Sequence, residues 1–170
     1  MKDFLIPEEL KQSPEIREIL IHPHFTGMKK YRHHGEVSCH AHTLRVTEHS
    51  FRLSSGRRVN VTSLIRGALL HDFYLYDWHG GCPPFHGFRH PGWALDNARE
   101  HFGLNEIEED IIRKHMFPLT PGLPLFTESA IVSVADKIAA WNDYQMMVGD
   151  YLRRRFRRRR NKSRQTQIHH

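Results

Sequence analysis

The chain is expected to fold as one all-α helical bundle, and three observations carry that expectation. Apolar residues recur at three- and four-residue spacing along most of the sequence, and no long stretch alternates as a strand does. Capping and stop signals divide that periodicity into helix-length pieces: Ser13-Pro14, Asn60, Asn105 with Glu108, and the stops at Gly56 and Gly103. At 170 residues the chain can bury one real core but not comfortably two.

The elements follow in order. Ser13-Pro14-Glu15 opens a helix, with Ser as cap and Pro in the first turn; it carries Ile16, Ile19 and Leu20 and stops before Pro23. A second helix spans about Ser38 to Leu53, ended by Ser54-Ser55-Gly56. A third follows Asn60, with Val61, Leu64, Ile65, Ala68, Leu69 and Asp72 at helical spacing, and gives way near Asp77. The Gly- and Pro-rich run 78–84 reads as a loop. His90-Pro91 opens a fourth helix that Gly103 stops. Asn105-Glu106-Ile107-Glu108 approximates a capping box and opens a fifth, which ends before Pro118. After a loop with three prolines, 118–124, a sixth helix covers about Thr127 to Tyr144. This divides the chain into an N-terminal helical extension (1–30), a main helical domain (31–150) and an Arg-rich tail (151–170) expected to be disordered.

Composition narrows the function classes. Mean hydropathy is -0.60, and no apolar run reaches the ~20 residues of a membrane span. The N-terminus turns acidic at once and does not read as a secretory signal. Two cysteines, Cys39 and Cys82, are too few for a disulfide framework, so a reducing, cytoplasmic setting is expected. The net charge of +6 is local in origin. The last twenty residues hold nine Lys/Arg and no Asp/Glu; the rest holds sixteen basic and nineteen acidic residues, a net of −3. Within the tail, Arg153-Arg154-Arg155-Phe156-Arg157-Arg158-Arg159-Arg160 would attract phosphate polyanions or anionic surfaces, though a solvated run of no defined role is the plainer reading.

Fifteen histidines form the compositional anomaly, since His is the commonest metal ligand and the usual acid or base near neutral pH. His71-Asp72 sits among Leu69, Leu70 and Phe73, where an ionised Asp is costly unless a cation or hydrogen bonds compensate it. His42 lies inside the second helix, His90 heads the fourth, His115 ends the fifth, and Asp136 lies in the apolar stretch Val134-Ala135-Asp136-Lys137-Ile138. Taken singly, each reads as a satisfied core residue. Together they put a nitrogen or oxygen ligand on each of five successive helices or helix ends, and a helical bundle can bring such residues to one central site.

The order H…HD…H…H…D resembles the HD-domain metalloenzymes in their six-ligand, two-metal version. The words that carry the resemblance are His34-Gly35, His42-Thr43-Leu44-Arg45-Val46, Arg66-Gly67-Ala68-Leu69-Leu70-His71-Asp72, His86-Gly87-Phe88-Arg89-His90-Pro91, His115-Met116-Phe117-Pro118 and Ala135-Asp136-Lys137. The resemblance implies one metal on His42, His71, Asp72 and Asp136, and a second on His90 and His115, with Asp72 bridging. It further implies a metal-dependent phosphohydrolase acting on a small phosphorylated substrate, expected to be a nucleotide. The mixed His/carboxylate donors suit divalent iron, manganese, zinc or nickel. Asp77, at the expected helix end, is the candidate for proton transfer, alongside Asp72 on the metals. Arg45, Lys137, His34, His79 and His86 are the candidates to meet substrate phosphate. No Gly-Tyr-Pro word follows the HD pair, so cyclic dinucleotide hydrolysis is not supported, and the paired acids of alarmone hydrolases are missing as well. Two rival readings stand beside this one: a di-iron oxygenase of a small alcohol or phosphonate, and a non-catalytic metal- or ligand-binding domain.

Overall fold

The computed structural model describes residues 6–33, 36–77 and 85–166. Among these, eight α-helices and one 3-10 turn form the fold, and the only extended pairing is an isolated bridge between Arg32 and Ser38. The helices are α1 (Glu8–Gln12), α2 (Pro14–Ile21), α3 (Pro23–Gly27), α4 (Cys39–Leu53), α5 (Val61–Leu70), α6 (His86–His101), α7 (Glu106–Lys114) and α8 (Thr127–Thr166). The expected all-α class is the observed one.

Local chemistry explains most boundaries. Ser38, Asn60 and Asn105 each accept a hydrogen bond from the backbone N–H three residues on, at 3.2, 3.0 and 3.0 Å, as N-caps do. Asn105 and Glu108 complete a capping box. Gly56 takes a left-handed φ of 72°, at no steric cost, where the chain leaves α4.

Three expectations about the elements are corrected. α5 ends at Leu70 instead of continuing toward Asp77. His71 and Asp72 lie in the closing turn, because the chain bends there to bury Phe73 and Tyr74. α6 begins at His86 rather than His90, with Pro91 inside it. Pro91 has the φ a helix needs and forfeits one bond, to the Gly87 carbonyl. The extra turn puts His86 one helical turn before His90. Finally, α8 does not stop at Tyr144, and the tail expected to be disordered is helical through Thr166. No Gly or Pro interrupts 150–166, and Arg is a good helix former. At the start of this extension Tyr151 is exposed.

The centre of the bundle is α5, buried from Ser63 to Leu70. One side of it, Ile65, Leu69 and Leu70, joins Ile16, Ile19, Phe25, Met28, Leu95 and Ile112. The other, Leu64 and Ala68, joins Val46, Ile111, Val132, Ala135 and Ala139. At Gly67, α5 and α7 approach so closely that a Cβ would lie 2.5 Å from Ile111 Cδ1. Arg66, on the same turn, ties three segments together. It donates to Glu108 at 2.8 Å, to Glu18 at 2.8 Å, and to the carbonyls of Glu15 and Gly103. The result is a fixed frame in which α5 and α7 both end at one place. Among the described residues, no helix is long and apolar enough to cross a membrane.

Candidate metal centre

The C-termini of α5 and α7 meet at the site, and each ends on a histidine. His71 follows Leu70 and donates from Nδ1 to the Ala68 carbonyl at 2.8 Å. His115 follows Lys114 and donates from Nδ1 to the Ile112 carbonyl at 2.8 Å. The two side chains thus satisfy carbonyls that a helix end leaves without partners. On α6, His90 Nδ1 donates to the His86 carbonyl at 3.1 Å. A backbone carbonyl can only accept, so all three rings carry a proton on Nδ1 and turn Nε2 toward the centre. The negative ends of two helix dipoles also face the site and favour positive charge there.

His42, fully buried on α4, follows the same logic with a carboxylate. Its Nδ1 lies 2.9 Å from Asp143 Oδ2, and its Nε2 faces Asp136 Oδ1 at 3.1 Å. Asp143 is itself paired with Arg45, at 2.6 Å from Nη2. Arg45, Asp143, His42 and Asp136 therefore form a chain of alternating charge and ring between α4 and α8.

These groups converge on Asp72, which is 1% exposed. Its Oδ1 lies 3.2 Å from His90 Nε2 and 3.5 Å from His115 Nε2. Its Oδ2 lies 3.5 Å from both His71 Nε2 and His33 Nδ1. Asp136 Oδ1 is 3.9 Å from His71 Nε2. The donors divide into His42, His71 and Asp72 on one side and Asp72, His90 and His115 on the other, each set close enough to hold one ion.

Without a cation, these Nε2 atoms are incompletely matched. His90 and His115 face each other Nε2 to Nε2 at 2.9 Å with Nδ1 protonated on both, so the contact needs either a second proton on one ring, which Asp72 favours on His90, or a cation between them. His71 Nε2 is buried with no hydrogen-bond partner. A cation between the lone pairs resolves each of these conflicts, so the residues present fit a metal.

Electrostatics agree. Burial alone would push His42 down, but hydrogen bonds to Asp136 and Asp143 and the charges of Asp136 and Asp72 raise it to about 9. Burial pushes His71 down to about 4, aided by His115 and opposed by Asp72. Burial would raise Asp72 and Asp136, yet the surrounding histidines hold both well below the usual carboxylate range. Two anionic carboxylates therefore persist inside a ring of imidazoles.

A cavity of about 660 Å³ opens beside Asp72, His90, His115 and Asp136. Lys137 and His86 line it. Lys137 Nζ donates to the His115 carbonyl at 2.8 Å, and burial lowers its pKa. His86 stacks on His90 with ring centroids 4.9 Å apart and is bonded through Nδ1 to the Tyr76 hydroxyl at 2.7 Å. Two residues expected at the site, Arg45 for phosphate and Asp77 for proton transfer, lie elsewhere. Arg45 turns to Asp143 because a buried carboxylate requires a partner, and Asp77 is exposed, off the cavity wall. His34 and His79 fall outside the described residues.

Sequence reasoning passed over two residues. His33 lines the cavity and stacks on His42 at 3.8 Å between centroids. Asp143 lies seven residues after Asp136, two helical turns along the same face of α8, and that spacing is the signal that points to it.

The family model described as HD domain matches residues 40–141, more than half of the chain. The chain belongs to the HD domain family. All six residues of the H…HD…H…H…D order lie inside the matched span of this HD domain. No curated protein matches the chain. The HD domain family consists largely of metal-dependent phosphohydrolases, so a hydrolase-type, metal-dependent function is the broad class to which this site belongs.

Proposed function

We propose that this HD domain is a phosphohydrolase that cleaves a phosphoester with two divalent ions, drawn from iron, manganese, zinc or nickel. The observation that carries the reading is the convergence of four Nε2 atoms on Asp72 and Asp136 at the wall of a cavity that also presents Lys137. His42, His71, Asp72 and Asp136 would hold one ion; His90, His115 and Asp72 would hold the other. When bound, such ions supply positive charge to the phosphate oxygens and acidify water near neutral pH.

The remaining roles belong to the chain. Lys137 offers its ammonium to a phosphate oxygen, while its bond to the His115 carbonyl fixes where that charge sits. His33 and His86 flank the ligands and restrict how an ester can approach. Asp143, steadied by Arg45, positions His42. The cavity wall does not include Asp77, so proton transfer by Asp77 gains no support from the geometry.

The test is a broad phosphoester screen on the full-length chain, nucleotides included, reconstituted with each metal in the absence of oxygen. Phosphate release that Asp72→Asn abolishes is the expected outcome. Iron-dependent oxygen uptake without phosphate release would overturn the proposal in favour of oxygenase chemistry. Metal binding with neither activity would overturn it in favour of a binding domain.

A further inference from the structure

The cavity that serves the metal centre has two chemically distinct parts. One is the His and Asp cluster. The other is apolar, formed by Met116, Pro118, Leu119 and Ala140, with Leu119 near the backbone of Gly87. Leu119 is 51% exposed, so this part of the wall reaches solvent. Lys137 is the single Lys or Arg among the described lining residues, and these include no Ser, Thr, Asn or Gln.

Each of these facts constrains the ligand. The proposed ions and Lys137, whose charge is also drawn to Asp136, serve one phosphoryl group at the metal centre, while Met116, Pro118, Leu119 and Ala140 offer no cation to a further phosphate along the wall. A nucleobase or sugar is read through hydrogen bonds from amide and hydroxyl groups, and burying its polar edge against Met, Pro, Leu and Ala would leave that edge unpaired. A bare phosphate ion would leave most of the space empty, since cavities of roughly 300–1,000 Å³ enclose ligands of drug size.

We infer that the substrate is a phosphate monoester whose organic part is an apolar alkyl or aryl group, with the phosphate at the metal centre and the apolar group along Met116, Leu119 and Ala140. This rests on the phosphohydrolase reading above. In the reaction, a water oxygen forms a new P–O bond and the P–O bond to the organic group breaks. A proton from the water ends on the leaving oxygen, giving inorganic phosphate and an apolar alcohol or phenol. No redox co-reactant is needed.

Calorimetric titration of the metal-loaded, full-length chain with methyl-, butyl- and octylphosphonate, which cannot be hydrolysed, tests the inference by binding. The dissociation constant should tighten by about fourfold for each methylene that the wall buries. Adenosine monophosphate should bind no better than methylphosphonate. Leu119→Asn, at a half-exposed position where folding is not at stake, should flatten the chain-length dependence. If no phosphonate of any length binds, the phosphohydrolase reading fails and the inference with it. If all three bind equally, if adenosine monophosphate binds more tightly, or if Leu119→Asn keeps the full dependence, the inference alone is overturned.

Discussion

Replacing Asp143 by Asn tests whether the buried chain from Arg45 to Asp136 serves the metal centre or merely holds α4 to α8. Asp143 is fully buried and accepts from His42 Nδ1 at 2.9 Å, a charge-assisted hydrogen bond of the kind worth about 1.5–3 kcal/mol. Asn keeps the volume and one acceptor oxygen but removes the charge that makes His42 Nε2 a stronger electron-pair donor toward an ion. Losing such an outer partner typically costs about 10–100-fold in metal affinity or activity, or about 1.4–2.7 kcal/mol at 1.36 kcal/mol per tenfold. Competitive titration against a fluorescent chelator would read the affinity, and a urea midpoint the stability. Asp143→Asn is expected to weaken metal binding by that factor with a smaller change in stability. Asp143→Ala should also lower the midpoint, because Arg45 then loses its buried counter-charge. Equal metal affinity in Asp143→Asn and the parent chain would refute the reasoning and leave Asp143 a structural residue only.

Four further outcomes are expected. Gly67→Ala drives a Cβ against Ile111 Cδ1, Cβ and Cγ2, a β-branched side chain with little freedom to move, and should lower stability by about 1–3 kcal/mol in urea denaturation; an unchanged midpoint would show that α5 and α7 can separate cheaply. Arg66→Ala strands Glu108, whose pKa burial already raises, and should cost about 3–5 kcal/mol by the same assay. In metal-free protein His42 holds its proton to about pH 9 against an ordinary 6.5, so its stabilisation is complete below 6.5 and is lost as pH rises through 9. Denaturation in chelator from pH 6 to 10 should show that decline, and a level profile would contradict it. A chain cut after Asp150 should keep its melting temperature and metal content while losing salt-dependent binding to duplex DNA or anionic vesicles, with each lost phosphate contact removing about 0.9 from the logarithmic salt slope on DNA; a lowered melting temperature would mean that the end of α8 packs on the domain.

Much of this protein was written into local sequence, because the signals involved act over three or four residues. The N-caps Ser38, Asn60 and Asn105, the periodic apolar stripes and the ordered H…HD…H…H…D set named an all-α fold and the side chains that meet in it. Their meeting could be expected because five helices each contribute a donor. What tertiary structure alone decided is how those donors are oriented. His71, His90 and His115 present Nε2 because their Nδ1 protons cap backbone carbonyls, which depends on where α5, α6 and α7 start and stop. The early end of α5 and the early start of α6 escaped local reading, since burial of Phe73 and Tyr74 outweighs continued helix and one proline costs a single bond. Arg45 reads as a phosphate ligand from its place beside His42, yet it turns to a carboxylate 98 positions along the chain. Partners so far apart in sequence are joined by packing, and a buried charge takes the counter-charge that packing brings within reach.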